Sequence, residues 1–477
     1  MKTQLTLCIS GTLLLIGMSG CEKTPERPMN VVYILADDLG YGDVGCYGQK
    51  IIKTPNIDRL AEEGMLFTQH YAGCTVSAPS RCSLMTGLHT GHTQVRGNRE
   101  ITPEGQQPMR EDTYTLGKLM KSAGYTTGIF GKWGLGNPGS VSIPNKMGFD
   151  EFYGYNCQRQ SHSFYPDHLW HNEEKVLFPE NENNACKTYS QDLIHEQALK
   201  FIRDHKEQPF FAMLTYTLPH AELNLPHDSI YKMYENSFEE TPYIGKFDKV
   251  YGGYNTSEKP LASFAAMVSR LDKYVGDVMA ELKELGLDKN TIVIFTSDNG
   301  PWLTEHENGG SAGPLKDGKG TWWEGGFRVP AICWMPGKIN PAINDEIMTS
   351  MDLYPTFLSM AGIEQPKDLV LDGVNQTGLL FEEKHSARDE VYYWWGSELM
   401  AIRKGEWKYY FKTIKDQYLR TCKIETPAEP LLYNVETDIS ERFNQAEKHP
   451  EIVKLLIEAG EKHKKGMKIK PSVCDMM

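Results

Sequence analysis

Short, uninterrupted apolar runs recur along this chain, and each ends on a polar residue with chemistry to offer. Val31–Leu35 runs into Asp37 and Asp38, Thr126–Phe130 into Lys132, Phe210–Thr215 toward His220, and Thr291–Thr296 into Asp298 and Asn299. Runs this short, rich in β-branched and aromatic residues and lacking a polar alternation, predict strands covered on both faces, as in a parallel sheet. Helical patterns separate them at 116–123, 190–205 and 262–285; in the last, Met267, Leu271, Val275, Val278 and Leu282 recur at helical spacing and are expected to face the sheet. The fold class is therefore α/β, a large mixed, mostly parallel sheet sandwiched by helices. Ligands of such sheets bind beyond the carboxyl ends of the strands, so all four runs deliver their polar residues to one edge.

Two stretches break the pattern. Residues 171–186 are acidic and Asn-rich, and 221–260 are aromatic-laden without a period, so both are read as irregular insertions beside the site. After a helix around 352–361 the character changes: strands are expected at 391–395 and 401–411 and a helix at 450–463. The division that follows is a catalytic α/β unit over 29–365 and a smaller C-terminal α+β unit over 366–477.

With 477 residues, 40% hydrophobic and 24% charged, the chain has ordinary globular composition and ample length for a large core. A formal net charge of −13 argues against nucleic acid as a partner, and any site for an anion must be locally basic against that field. The start reads as an export signal over 1–20, with Lys2, the apolar run Leu5–Ile16 and small residues before Cys21. Cys21 stands where a bacterial lipoprotein carries its lipid, and 21–28 reads as a tether. The expected location is the periplasm or outer membrane of a Gram-negative cell, with the lipid as the only membrane contact. The ten cysteines show no paired CxxC spacing, which argues against zinc, and Cys74–Cys82 and Cys157–Cys186 are the disulfides considered.

The densest chemistry lies in Ser77–Arg81, SAPSR, continuing as CSLMTG. Ser77 would open a helix, at the positive end of its dipole, with Pro79 in the first turn and the Arg81 guanidinium one turn on, which makes a place to hold an anion. Asp37, Asp38, Asp298 and Asn299 offer only oxygen, the donor set of Ca²⁺ or Mg²⁺, and adjacent carboxylates at a buried strand end repel without a cation. Lys132 in FGKWG and Lys319 in the Gly-rich DGKGTWWEGG are candidate cationic walls.

SAPSRCSLMTG resembles the signature of the formylglycine-dependent sulfatases of the alkaline-phosphatase superfamily, in the form whose Ser is oxidised to the catalytic aldehyde. The resemblance runs over nearly the whole chain and is strongest over 31–330. It implies that a Ser-type maturation enzyme converts Ser77 to formylglycine. It implies also that Asp37, Asp38, Asp298 and Asn299 hold a divalent cation together with residue 77, usually Ca²⁺ with Mg²⁺ as the alternative. Arg81, Lys132 and Lys319 would bind sulfate, and His220 would contact it and help protonate the leaving oxygen. The substrate implied is a sulfated glycan, with galactose or N-acetylgalactosamine esters expected, at the 4-position, and exo action. Trp170, Trp302, Trp322 and Trp323 are candidates for stacking on sugar faces.

One departure stands out. The family form GKWHLG is here GKWGLG, so Gly134 replaces a His that touches the formylglycine hydroxyl, and His162 and His92 are the candidates to substitute for it. Two rival readings stay open: a phosphate-ester hydrolase on the same scaffold using unmodified Ser77, and a surface lipoprotein that binds sulfated glycan without turnover.

Overall fold

The computed structural model describes residues 27–245, 254–303, 308–414 and 424–467. The segment read as an export signal, residues 1–20, and Cys21 lie outside these residues. At the centre of a ten-stranded sheet, four parallel strands stand in the order Thr291–Ser297, Asn30–Ala36, Phe210–Thr215 and Thr126–Lys132, with Glu151–Tyr155 parallel beyond the last. The sheet continues on one side through antiparallel Ala331–Trp334, then Met65–Phe67 and Ala342–Asn344. On the other side it ends in the hairpin His168–His171 and Glu174–Leu177, so part of the stretch expected to be irregular is an edge of the sheet.

Register fixes where the chemistry falls. Ile34 lies opposite both Leu214 and Phe295, and Phe130 lies opposite Leu214, so the four apolar runs finish at one level. The pairing carries on past the strands: the Asp37 amide donates to the Leu218 carbonyl at 3.1 Å and the Asp298 amide to the Ala36 carbonyl at 3.0 Å. Alternate residues of Asn30–Ala36 enter opposite cores. Val32, Ile34 and Ala36 pack with the helices Ser190–Asp204 and Pro260–Glu284, whose Met267, Leu271, Val275, Val278 and Leu282 are all buried there. Val31, Tyr33 and Leu35 pack with Ser77–Thr86, Leu116–Ser122 and Leu353–Met360. Burial on both faces is the physical reason these strands carry no polar alternation.

The C-terminal unit is a four-stranded antiparallel sheet, Glu390–Trp395, Glu398–Lys404, Trp407–Tyr410 and Leu431–Asn434, with the helix Pro450–Gly466 against one face. The single strand expected over 401–411 is a hairpin, because Gly405, at φ +54°, supplies the left-handed residue a tight turn needs. The cysteine pairings are also corrected. Cys46, Cys74, Cys82, Cys157, Cys186 and Cys333 are all free thiols, four of them buried in packed surroundings.

The other face of the small sheet closes on the large unit around a buried ionic network. Lys408 donates from Nζ to Glu324 Oε1 and the Trp322 carbonyl, each at 2.8 Å, and lies 3.3 Å from Glu441 Oε1. Glu441 accepts the Glu324 amide at 2.7 Å, and Tyr71 donates to Glu324 Oε2 at 2.6 Å. Burial opposes ionisation of Glu324, but Lys408, Arg403 and Arg328 outweigh it and bring its carboxyl down to about 2. Removing Lys408 takes from two buried carboxylates the cation they share, so Lys408→Ala is expected to lower unfolding stability by about 3–5 kcal/mol. Lys404→Ala, which cuts only partly exposed pairs with Asp389 and Glu390, should cost less than about 1 kcal/mol. Denaturant titration of both variants checks the contrast.

Candidate active site

The helix Ser77–Thr86 points its N-terminus at the sheet edge. It is preceded by extended Val76 and closed by Gly87 at φ +66°, and all ten of its residues are buried. Ser77 Oγ donates to Asp298 Oδ2 and lies 3.4 Å from Asp37 Oδ1. Arg81, one turn on, donates from Nε to Ser77 Oγ at 3.1 Å and to Asp298 Oδ2 at 3.0 Å. It donates from Nη1 to the Lys132 carbonyl at 2.8 Å, and its Nη2 is 3.3 Å from Asp37 Oδ2. Lys132 Nζ reaches Asp37 Oδ2 at 2.5 Å, and Lys319 Nζ bridges both oxygens of Asp38 at 2.7 and 2.8 Å. His220 Nε2 stands 3.4 Å from Asp38 Oδ2. Nine residues anticipated from sequence, the four oxygen donors with Ser77, Arg81, Lys132, His220 and Lys319, therefore meet in one buried cluster.

Three carboxylates face three basic side chains here, Arg81, Lys132 and Lys319, and position decides the carboxylates' protonation. Burial alone would raise Asp37, yet Lys132, His220, Arg81 and Lys319 together hold it well below the usual carboxylate range. Asp38 and Asp298 move the other way, because burial and the neighbouring Asp37 charge outweigh their cations; Asp298 reaches about 6. Burial also depresses His220 and His162, and in both the positive charges of Lys132 and Lys319 add to it.

Asn299 supplies a test of whether this set fits a cation. Its Nδ2 donates to Asp38 Oδ1 at 2.7 Å, while its buried Oδ1 has no hydrogen-bond partner. A desolvated amide oxygen without a donor costs about 1–3 kcal/mol. Together with the oxygens of Asp37, Asp38 and Asp298, an orphaned carbonyl oxygen is the complement a hard divalent ion requires, and the chemistry fits Ca²⁺ or Mg²⁺ better than softer metals. A dication would convert the balanced cluster into one with positive excess, suited to an anion.

Around this floor runs an aromatic wall. His162 stacks on His220 at 5.0 Å and 12°, Tyr254 lies 5.4 Å from His162, and Trp302 lies 5.7 Å from His220 with Lys319 Nζ 5.0 Å over its ring. Tyr254 escaped sequence reading because it sits in an irregular segment with no period. Of the two histidines considered against Gly134, His162 is at the site and His92 is not; His92 binds Asp372 at 2.8 Å. The residue facing Gly134 is Gln158, whose Cγ and Nε2 stand 3.5 Å from where a β-carbon would project. Trp322 is also corrected: it is 2% exposed, donates to the Trp394 carbonyl at 3.3 Å and packs in the junction between the units, so it presents no face to a sugar. Trp323 packs on Tyr410 and Tyr433 in the same junction, and Trp170 donates to Glu104 at 2.5 Å at the hairpin edge.

The chain is similar to known proteins along most of its length. The family model described as Sulfatase matches residues 29–363, and that for the C-terminal region of aryl-sulfatase matches 386–477. N-acetylgalactosamine-6-sulfatase of Canis lupus familiaris is 34% identical over 420 residues, 83% of this chain and 73% of its own length. Arylsulfatase A of Homo sapiens is 31% identical over 446 residues, 88% of this chain and 83% of its own. Among solved structures, Ps i-CgsB in complex with k-i-k-neocarrahexaose has TM-score 0.75 and 28% identity, covering 92% of this chain and 93% of its own.

The oxygen cluster generates a direct prediction. Ca²⁺ at about 100 times its Kd should add roughly 2.7 kcal/mol to folding stability, read as a rise in Tm. Asn299→Ala should weaken that rise; equal rises in both proteins would show that the ion binds elsewhere.

Proposed function

Because this chain belongs to the sulfatase family, whose members are sulfuric ester hydrolases, we propose that it removes sulfate from sulfated carbohydrates through a formylglycine made from Ser77. The observation that carries this reading is the convergence of Asp298, Asp37 and Arg81 on Ser77 Oγ, at a helix N-terminus inside a buried cationic cluster. A Ser-type maturation enzyme, acting before the helix is packed, takes two electrons and two protons from the Ser77 alcohol; Ser77 is 0% exposed in the folded chain. The hydrated aldehyde supplies one hydroxyl to attack sulfur and a second whose deprotonation expels sulfate, which an ordinary serine cannot do. Asp37, Asp38, Asp298 and Asn299 would hold Ca²⁺, which would supply positive charge for an anionic ester.

The protein's own groups do the rest. Arg81 orients residue 77 and, with Lys132 and Lys319, faces the charge that grows on the sulfuryl oxygens, where preorganised donors in a water-poor site are most effective. His220 stands beside Lys319 and Asp38 on the substrate side. An anionic ester arriving there raises its proton affinity, which suits it to hand a proton to the departing sugar oxygen. Tyr254, Trp302 and His162 offer ring faces to a sugar, in line with relatives named for N-acetylgalactosamine sulfate and a neighbour solved with a carrageenan oligosaccharide. Terminal galactose or N-acetylgalactosamine is the residue we assign. The sequence favours the 4-sulfate, and the names of the relatives carry the 6-sulfate. We place the enzyme outside the cytoplasm, tethered by lipid on Cys21.

Mass measurement of the tryptic peptide containing Ser77, from protein made beside a Ser-type maturation enzyme, should show a loss of one hydrogen molecule. The same preparation should release sulfate from a panel of 4- and 6-sulfated galactose and N-acetylgalactosamine. Arg81→Ala should cut kcat/KM by about 10²–10³. Full activity with an unmodified Ser77 would sink the formylglycine mechanism.

A further inference from the structure

The signature helix begins without a cap of its own. Val76, at the N-cap, offers no side-chain acceptor, Pro79 has no N–H, and the Ser80 amide is taken by the Val76 carbonyl at 3.2 Å. The Ala78 amide, in the peptide unit that joins it to Ser77, is left buried and needs an acceptor from outside the helix. That acceptor is Asn98, whose Oδ1 takes it at 2.9 Å. We propose that Asn98 is a further active-site residue, whose Nδ2 donates to a sulfuryl oxygen of the bound ester, and that Gln158 is the residue that positions it.

The orientation of Asn98 follows from its partners. Its Oδ1 accepts a second donor, Gln158 Nε2, at 3.3 Å. Two donors on one side of an amide identify that side as the oxygen, so Nδ2 turns away from the helix and keeps both its hydrogens for a ligand. Asn98 is exposed although Ala78, whose amide it caps, is 0% exposed, so this donor lies on the open side of the helix N-terminus. A sulfuryl group must stand against residue 77 to be attacked, and Asn98 is hydrogen-bonded to the very next residue.

Gln158 owes its place to Gly134. A β-carbon at 134 would stand 3.5 Å from Gln158 Cγ and Nε2 and 3.8 Å from Arg81 Cδ, so a longer side chain there would claim the volume that Gln158 fills. Gly134 is also at φ +74°, which favours glycine. Gln158 is buried, and its amide donates to Gln106 Oε1 at 3.3 Å. Gln106 in turn donates from Nε2 to the Arg99 carbonyl at 3.1 Å, so one buried side chain braces both Gln158 and the residue after Asn98. Neither Asn98 nor Gln158 titrates, so this donor is the same at every working pH.

The role assigned to Asn98 rests on the sulfatase reading above, so the test uses protein made beside the maturation enzyme, with kcat/KM on an active ester of the panel normalised to the aldehyde content of the residue-77 peptide. Asn98→Ala should lower kcat/KM about 10–100-fold. Asn98→Asp keeps an oxygen for the Ala78 amide and for Gln158 but sets a negative charge where the ester needs a donor, and should fall about tenfold further. Both variants should keep the Ca²⁺-dependent Tm gain, which shows that they fold. Gln158→Leu, which fills the space without a donor, should cost about 3–10-fold alone and nothing more beside Asn98→Ala; additive losses would overturn its role as the positioning residue. Wild type that carries the aldehyde yet releases no sulfate would remove the sulfatase reading and this one together. An active wild type with an equally active Asn98→Asp would show that Asn98 is only a helix cap and overturn this proposal alone.

Discussion

Everything functional in this protein depends on a charge balance held in a place that water does not reach. Asp37, Asp38 and Asp298 sit at the carboxyl edge of a sheet covered on both faces, where an unpaired carboxylate is expensive. Arg81, Lys132 and Lys319 make that arrangement tolerable. No single pair is sufficient, since Asp37 alone engages two cations while Asp298 answers to Arg81 and Asp38 to Lys319. A cluster so interlocked is rigid, and rigidity is what lets its dipoles favour a transition state without reorganising.

The C-terminal unit belongs to the same electrostatic design. Lys319 is carried on a Gly-rich loop, and a few residues along that loop Trp322 and Glu324 are gripped by Lys408, Tyr410 and Glu441. Lys316 lies 3.3 Å over the Trp323 ring and hydrogen-bonds the Glu441 carbonyl at 3.3 Å, adding another hold on the loop. The small sheet thus supports from behind the loop that brings Lys319 to Asp38, which gives a physical reason for its docking face to be a dense buried ionic network rather than apolar surface alone. His463 of the C-terminal helix meets His89 at 3.0 Å on a second seam between the same two units.

Legibility differed from element to element for identifiable reasons. The strands ending in Asp37, Lys132 and Asp298 were readable because two-sided burial forces an unbroken apolar run, and the long helix because its core face must repeat at helical spacing. The hairpin His168–Leu177 was missed because an edge strand needs little apolar surface: His171, Glu174, Lys175 and Leu177 are all exposed. Trp322 was misjudged because a tryptophan in a motif loop can face a ligand or a second domain, and its neighbours along the chain do not distinguish the two. Tyr254 and His463 lay beyond reach because each acquires its partners from segments remote in sequence.

By itself the sequence determined the fold class, the strand ends and the residue types that gather at the sheet edge, since backbone periodicity and donor type are local properties. Tertiary structure alone decided that Asn299 offers an unpartnered oxygen and that His162 rather than His92 stands beside His220. It also decided that Lys408 grips the loop of Lys319 and that two histidine rings approach nose to nose across a domain seam. Those facts depend on distances of a few ångströms between residues hundreds of positions apart, and packing sets such distances only once the whole chain has closed.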